Sequence, residues 1–386
     1  MKKLALLLPA MRVGGAEKIA LNFIPILKKH FEVTVVLNKL EGELLDRCLD
    51  EVEVVEDRLL TFQEIFKNDL KHLRLIKLFQ DIVYYTKVKL GKNNDKNYRY
   101  LVSRTPALDK EFDVAIAYVA NVSTQIFSAI DRTNAVQKIA WIHGETTELT
   151  DTKLYGECYD KFDRIFCVSD ASRQHFLEKF PSLADKCEVY YNPINTDDIR
   201  RRSEEKPEIK YDKNYINLLS VGRITPEKGY DMVPLITKIL LGKLHKVRFY
   251  IIGDGPSADV VRENIKKYGV EDAVYILGVK TNPYPYMKAC DVYVQPSYEE
   301  GYSTTICEAG TLGCAIVGTT TSGGIREQVE DGVSALIAEP TPQSIAECIE
   351  KIVTDVGLKD KIKKNVSMLD FSNKDQIKKL RQYIGE

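Results

Sequence analysis

Two carboxylates, Glu300 and Glu308, stand eight positions apart in the segment Ser297-Tyr-Glu-Glu-Gly-Tyr-Ser-Thr-Thr-Ile-Cys-Glu-Ala-Gly310. The residues before them, Asp291-Val-Tyr-Val-Gln-Pro296, read as a strand, and the chain from Thr304 onward reads as a helix. A helix N-terminus presents backbone N–H groups that have no intrahelical acceptor, which suits an anion. Glu308 then lies about one turn into the helix, near whatever the helix end binds. Amides for a diphosphate and a carboxylate for ribose hydroxyls are together a means of holding a nucleotide sugar.

The segment Leu218-Leu-Ser-Val-Gly-Arg-Ile-Thr-Pro-Glu-Lys-Gly229 ends a second strand and brings Arg223 and Lys228 into the loop before a helix. Arg offers phosphate oxygens a planar fork and Lys a mobile point charge. Two cations there would stabilise the charge that grows on a leaving diphosphate as a glycosidic bond breaks. Singly, each reads as a solvated loop charge. Their placement in the same class of loop as Glu300 and Glu308 favours the site. Thr321-Ser-Gly-Gly324 is either a small-residue loop that lets backbone approach a phosphate or an ordinary turn. Gly14-Gly15-Ala16-Glu17 follows the same logic on weaker grounds. His143 ends the strand Lys138-Ile-Ala-Trp-Ile-His-Gly144 and is expected to point into a cleft from the opposite domain. It reads as a sugar contact, a proton guide, or a buried structural imidazole.

The elements that must position these residues fall into two halves with one rhythm. Short apolar runs alternate with amphipathic segments, the pattern of βαβ units around parallel sheets. Strands are expected at 3–8, 32–37, 113–119, 138–142, 164–168 and 187–191, with helices over 15–29, 61–89, 121–130 and 171–179. After a polar stretch, Asp197 to Asn214, strands are expected at 216–221, 247–252, 273–277, 291–295, 315–318 and 334–337. Helices follow near 229–241, 256–268, 304–313, 325–330 and 342–355. The fold class is therefore α/β, with two Rossmann-like doubly wound domains facing across a cleft and ligands at the carboxyl ends of strands. The domains span 1–196 and 197–374, and a last helix within 375–386 packs back on the first.

A chain of 386 residues has ample core for two domains. Its 55 Lys+Arg against 56 Asp+Glu imply no bulk attraction to nucleic acid. Eight scattered cysteines without a Cys-x-x-Cys pair argue against a structural zinc site or a disulfide scaffold, and fit a reducing cytosol. The opening Met-Lys-Lys-Leu-Ala-Leu-Leu-Leu-Pro reads as a buried first strand, its apolar run being too short for a signal peptide. No run is long enough to span a membrane.

Taken together, these residues resemble the retaining glycosyltransferases of family 4, with the GT-B fold. The family's strand, Gly-Arg and Glu-Lys-Gly are here Val221-Gly-Arg223 and Glu227-Lys-Gly229. Its Pro-Ser-x-x-Glu-Gly-Phe-Gly, with a second Glu eight positions on, is here Pro296-Ser-Tyr-Glu-Glu-Gly-Tyr-Ser303 with Glu308. Gly-Gly-Ala-Glu stands at 14–17 and His-Gly at 143–144, and Asn192-Pro-Ile-Asn-Thr196 resembles the turn into the linker. The resemblance implies an acceptor-binding first domain and a nucleotide-sugar-binding second domain. By it, Arg223 and Lys228 bind the donor diphosphate, Glu308 the ribose, and Glu300 faces the transferred sugar. Amides around Tyr302, Ser303 and Thr304 hold the distal phosphate, Gly278 and Val279 frame the base, and His143 contacts the sugar. Gly14 and Gly15 belong to the substrate-binding set. It further implies hexose or N-acetylhexosamine transfer from a UDP-linked donor, with retention, without metal or other cofactor, in surface-polysaccharide synthesis. Tyr302-Ser303 departs from the family's Phe-Gly, which bears on donor choice.

Residues 61–110 carry 11 Lys+Arg and 5 Asp+Glu, net +6. Phe66, Leu70, Leu73, Ile76, Phe79 and Val83 recur at helical spacing beside Lys67, Lys71, Arg74 and Lys77. This is either a core-facing helix with a solvated basic face or a docking face for anionic lipid. The second reading fits a polyprenyl-diphosphate-linked acceptor and a cytoplasmic protein peripheral on the inner membrane face. Two rival functions stay open: a nucleotide-sugar epimerase on the same fold, and a silent nucleotide-sugar-binding partner.

Overall fold

The computed structural model describes residues 1–12, 14–89, 94–144, 149–320 and 324–385. The chain divides into two units: Met1–Val168 with Ser172–Tyr190 and Ile377–Glu386, and Ser169–Ala171 with Tyr191–Gln376. The final helix, Lys374–Ile384, begins in the second unit and continues in the first, where Ile377, Leu380 and Ile384 are buried.

The first unit is built on seven strands: β1 (Lys2–Leu8), β2 (Phe31–Leu37), β3 (Glu53–Glu56), β4 (Glu111–Ala117), β5 (Asn134–Ile142), β6 (Arg164–Cys167) and β7 (Cys187–Val189). Their order is β3-β2-β1-β4-β5-β6-β7, and every pairing is parallel. β1 is central, and Leu4–Leu8 is wholly buried, as a parallel strand covered on both faces must be. The short β3 lay outside the sequence expectation. Its Glu-Val-Val-Glu has no apolar run, because an edge strand buries little and tolerates charge.

The second unit carries six strands: β8 (Ile216–Val221), β9 (Val247–Ile252), β10 (Val274–Ile276), β11 (Val292–Gln295), β12 (Ile316–Thr319) and β13 (Leu336–Ala338). Their order is β10-β9-β8-β11-β12-β13, again all parallel. The order reverses direction between β8 and β11, where the connections leave opposite faces of the sheet and a crevice opens at the strand ends. The expected α/β class with two doubly wound units is thus borne out.

The expected single helix over 61–89 is two helices, Phe62–Lys71 and Leu75–Lys89. Thr61 and Glu64 form a capping box at the start of the first. Leu73, at φ 52°, takes the left-handed conformation that ends it, and the Arg74 amide turns back to the Asp69 carbonyl at 2.9 Å. The apolar stripe expected on that helix is not core. Leu70, Leu73, Ile76, Phe79 and Val83 are 37–79% exposed, while Ile65, Leu78 and the carboxylates Asp69 and Asp81 are buried. Arg104 pairs with both carboxylates and Tyr100 donates to Asp81 at 2.6 Å, so each buried carboxylate has a partner.

Candidate functional site

In the second unit, the candidate residues follow the carboxyl ends of three strands of one sheet. Arg223 and Lys228 follow β8, Gly278 and Val279 follow β10, and Glu300 through Glu308 follow β11. The loops after β8 and β11 meet at the switch point. Tyr298 and Glu299 amides donate to the Glu227 carbonyl at 2.8 and 3.2 Å, and the Tyr298 hydroxyl donates to Asp231 at 3.0 Å. Gly229 makes the approach possible: it sits at φ 65°, and a Cβ there would lie 2.0 Å from the Pro296 carbonyl oxygen.

That stitching delivers Lys228 to Glu300. Lys228 Nζ lies 2.6 Å from Glu300 Oε2. Gln295 Nε2 donates to the same oxygen at 2.7 Å, and Ser297 Oγ donates at 3.4 Å. Glu300 is the inward member of its pair, 14% exposed at the side chain, while Glu299 is exposed. Arg223 is exposed and forms no ion pair among the described residues.

The helix Thr304–Thr311 is capped by Ser303, whose Oγ accepts from the Ile306 amide at 3.3 Å. Gln328 holds the cap from behind, accepting from the Ser303 amide at 3.1 Å and donating to its carbonyl at 2.7 Å. Glu308, one turn in, accepts from the Tyr284 hydroxyl at 3.1 Å. Arg202 in turn lies over the Tyr284 ring, 5.0 Å from its centre. Burial raises the Tyr284 phenol well above its usual range, as does the Glu308 charge, so it stays a donor. The Tyr302 ring lies 5.2 Å from that of Tyr191. Gly278, at φ 69°, accepts from the Gly253 amide at 2.9 Å, and Val279 after it is 52% exposed.

Residues 321–323 of the expected Thr321–Gly324 loop lie outside the described residues. Gly324 opens the helix Gly324–Gln328, and a Cβ on it would lie 1.9 Å from the Gly301 carbonyl oxygen. A side chain at position 324 would therefore push the loop at Gly301 away.

In the first unit, Gly14 caps the helix Gly15–Leu27 after β1, and the Glu17 carboxylate folds over it. His143 follows β5. Its ring packs 4.4 Å from Tyr118 and 5.8 Å from Trp141. Burial pushes its imidazole down to about 3, which keeps it neutral. Nε2 is enclosed and has no hydrogen-bond partner among the described residues.

Gln295, Tyr284 and Gln328 were not among the sequence candidates. Gln295 is the residue before the Pro-Ser of the motif, and that position is a findable signal. Tyr284 and Gln328 come from helices whose only cue is their place after a strand. Among the described residues, no group of three or more His, Cys, Asp or Glu side chains is arranged to hold a metal ion. No helix among them is long and apolar enough to cross a membrane.

Residues 201–368 match the family described as glycosyl transferases group 1. The chain is 26% identical over 340 residues to an N-acetylgalactosamine-N,N'-diacetylbacillosaminyl-diphospho-undecaprenol 4-alpha-N-acetylgalactosaminyltransferase of Campylobacter jejuni, covering 88% of this chain and 86% of the relative. It is 23% identical over 216 residues to the phosphatidylinositol N-acetylglucosaminyltransferase GPI3 subunit of Saccharomyces cerevisiae, covering 55% of this chain and 48% of that one. Among solved structures, Anabaena HepE in complex with UDP and glucose superposes with a TM-score of 0.72 at 19% identity, covering all of both chains. Staphylococcus aureus TarM superposes with a TM-score of 0.74 at 15% identity, likewise over all of both. The chain is thus similar to glycosyltransferases of the family 4 type, and its two units have the GT-B fold.

Proposed function

We propose that this glycosyltransferase moves a hexose or N-acetylhexosamine from a UDP-linked sugar, with retention and without a metal, to a glycan or polyprenyl-diphosphate-linked acceptor in cell-surface polysaccharide synthesis. The observation that carries the reading is the Lys228–Glu300 pair beside the Ser303-capped helix, with Glu308 one turn inside it. A cation, a helix end and a carboxylate follow the carboxyl ends of the adjacent strands β8 and β11. The relative in Campylobacter jejuni, named for a diphospho-undecaprenol acceptor, and the HepE complex with UDP support this choice of acceptor and donor.

In this reading Lys228 and Arg223 take the diphosphate, amides of Tyr302, Ser303 and Thr304 take its distal phosphate, and Glu308 takes ribose hydroxyls. Gly278 and Val279 frame the uracil. Glu300 faces the sugar and stabilises positive charge as the glycosidic bond opens. Neutral His143 gives or accepts a hydrogen bond at the sugar rather than carrying charge. The acceptor hydroxyl attacks on the face the diphosphate leaves, and the leaving phosphate takes its proton. Gly14 and Gly15 lend backbone to the acceptor side.

We place the protein at the cytoplasmic face of a membrane, docked through residues 61–110. Supporting this, Leu70, Leu73, Leu75, Ile76, Phe79 and Ile82 are each more than half exposed, beside the exposed Lys67, Lys71 and Lys77. Co-sedimentation with anionic and neutral vesicles tests the placement: preference for anionic vesicles is expected, and equal partitioning overturns it. Product stereochemistry tests the reaction. Proton NMR of the new linkage should show the donor's anomeric configuration, with activity intact in excess chelator. An inverted anomer, or reversible loss of all activity with chelator, contradicts the reading.

A further inference from the structure

The amide of Gln295 sits between the two parts of the proposed donor site. It ends β11, and its side chain is buried. Nε2 donates to Glu300 Oε2 at 2.7 Å and to Ser297 Oγ at 3.3 Å. Oε1 accepts from Ser303 Oγ at 2.8 Å and from Thr305 Oγ1 at 2.9 Å. The orientation follows from chemistry, since a carboxylate can only accept and so draws the NH₂. Both protons and both lone pairs are then used, and a fully satisfied buried network of this kind is rigid.

We propose that Gln295 is a positioning residue that fixes Glu300 relative to the capped end of the helix Thr304–Thr311. The carboxylate that faces the sugar and the amides that face the distal phosphate are held by one side chain. The separation of sugar and phosphate groups in the bound donor is thereby set. The link depends on this chain's own residues, because Ser303 supplies the hydroxyl where the resembled motif has Gly, and Gln295 lies beneath to receive it. Lys228 reaches Glu300 independently of this link, from the loop after β8. Losing the amide therefore disturbs where Glu300 points more than how the diphosphate is held. The inference rests on the donor-site reading above.

The test is a double-mutant cycle on Gln295→Leu and Ser303→Gly, reading kcat for transfer and Kd for UDP, with circular dichroism as the folding check. Gln295→Leu keeps the volume and should lower kcat by about tenfold or more while UDP binding changes by less than about threefold. Ser303→Gly removes one hydroxyl and leaves the apolar packing alone, so it serves if the first variant does not fold. It should lower kcat several-fold, and the double variant should lose no more than Gln295→Leu alone. Losses that multiply, or a kcat within about twofold of wild type in folded single variants, overturn the proposal while the donor site stands. A wild-type protein that neither binds UDP nor turns over any donor overturns the donor site itself, and this inference with it.

Discussion

Replacing Glu300 by Gln should move two measurements in opposite directions. In the structure Glu300 neutralises Lys228 at 2.6 Å, so an arriving diphosphate must compete for that cation. Two unit charges at this distance attract by about 1.6 kcal/mol even in bulk water. Holding the two long side chains in one geometry offsets part of this and leaves about 1 kcal/mol. Glu300→Gln keeps the size and the acceptor for Gln295 but frees Lys228. UDP, which lacks the sugar, should then bind about fivefold more tightly by calorimetry. Turnover should fall by about 10²-fold if, as proposed, that charge stabilises the opening glycosidic bond. Unchanged or weaker UDP binding would refute the idea that Glu300 holds Lys228 back. Undiminished turnover would refute its place at the sugar.

Three further outcomes follow from the geometry. Lys228→Ala should slow turnover by about 10²-fold while costing about 1 kcal/mol of stability, so its activity loss should far exceed its shift in Tm. Tyr284→Phe should weaken UDP several-fold, since one hydrogen bond orienting Glu308 contributes about 1 kcal/mol, and Glu308→Ala should weaken it more. Equal UDP affinity in both would remove Glu308 from the ribose. His143 titrates near 3 when folded against 6.5 in an open chain, so the unfolded chain takes up a proton that the folded chain refuses. Its contribution to stability is present above 6.5 and is lost as pH falls toward 3. The Tm gap between wild type and His143→Gln should therefore narrow from about pH 7.5 to about pH 5, and a constant gap would show that this group does not titrate so.

The parallel sheets were legible because strands buried on both faces must be short continuous apolar runs, as Leu4–Leu8 and Phe249–Ile252 are. Strands that bury little, such as Glu53–Glu56, leave no such trace. The break at Leu73 was invisible because the left-handed position that ends the helix is filled by Leu rather than Gly. The burial of Asp69 and Asp81 was invisible too, since it depends on Arg104 and Tyr100 from a later helix. At the site, Arg223, Lys228, Glu300 and Glu308 could be found because each follows a strand end at a motif spacing. Of their supports, only Gln295 carries a positional cue, before the Pro-Ser of the motif; Tyr284 and Gln328 could not be found, because hydrogen bonds that orient a side chain have no fixed spacing in sequence. Glu300 is chosen over Glu299 in sequence because it precedes Gly301 and stands eight positions before Glu308, and the loop turns it inward while Glu299 is exposed.

The most direct test of the account is a donor screen with the purified protein. It would follow UDP and GDP release across several nucleotide sugars, with and without a lipid-linked acceptor extract. The account predicts release of UDP from one sugar, strongly increased by acceptor and slowed about 10²-fold in the Lys228→Ala variant. A sugar altered on its nucleotide with no acceptor needed, or binding without turnover under any acceptor, would contradict it.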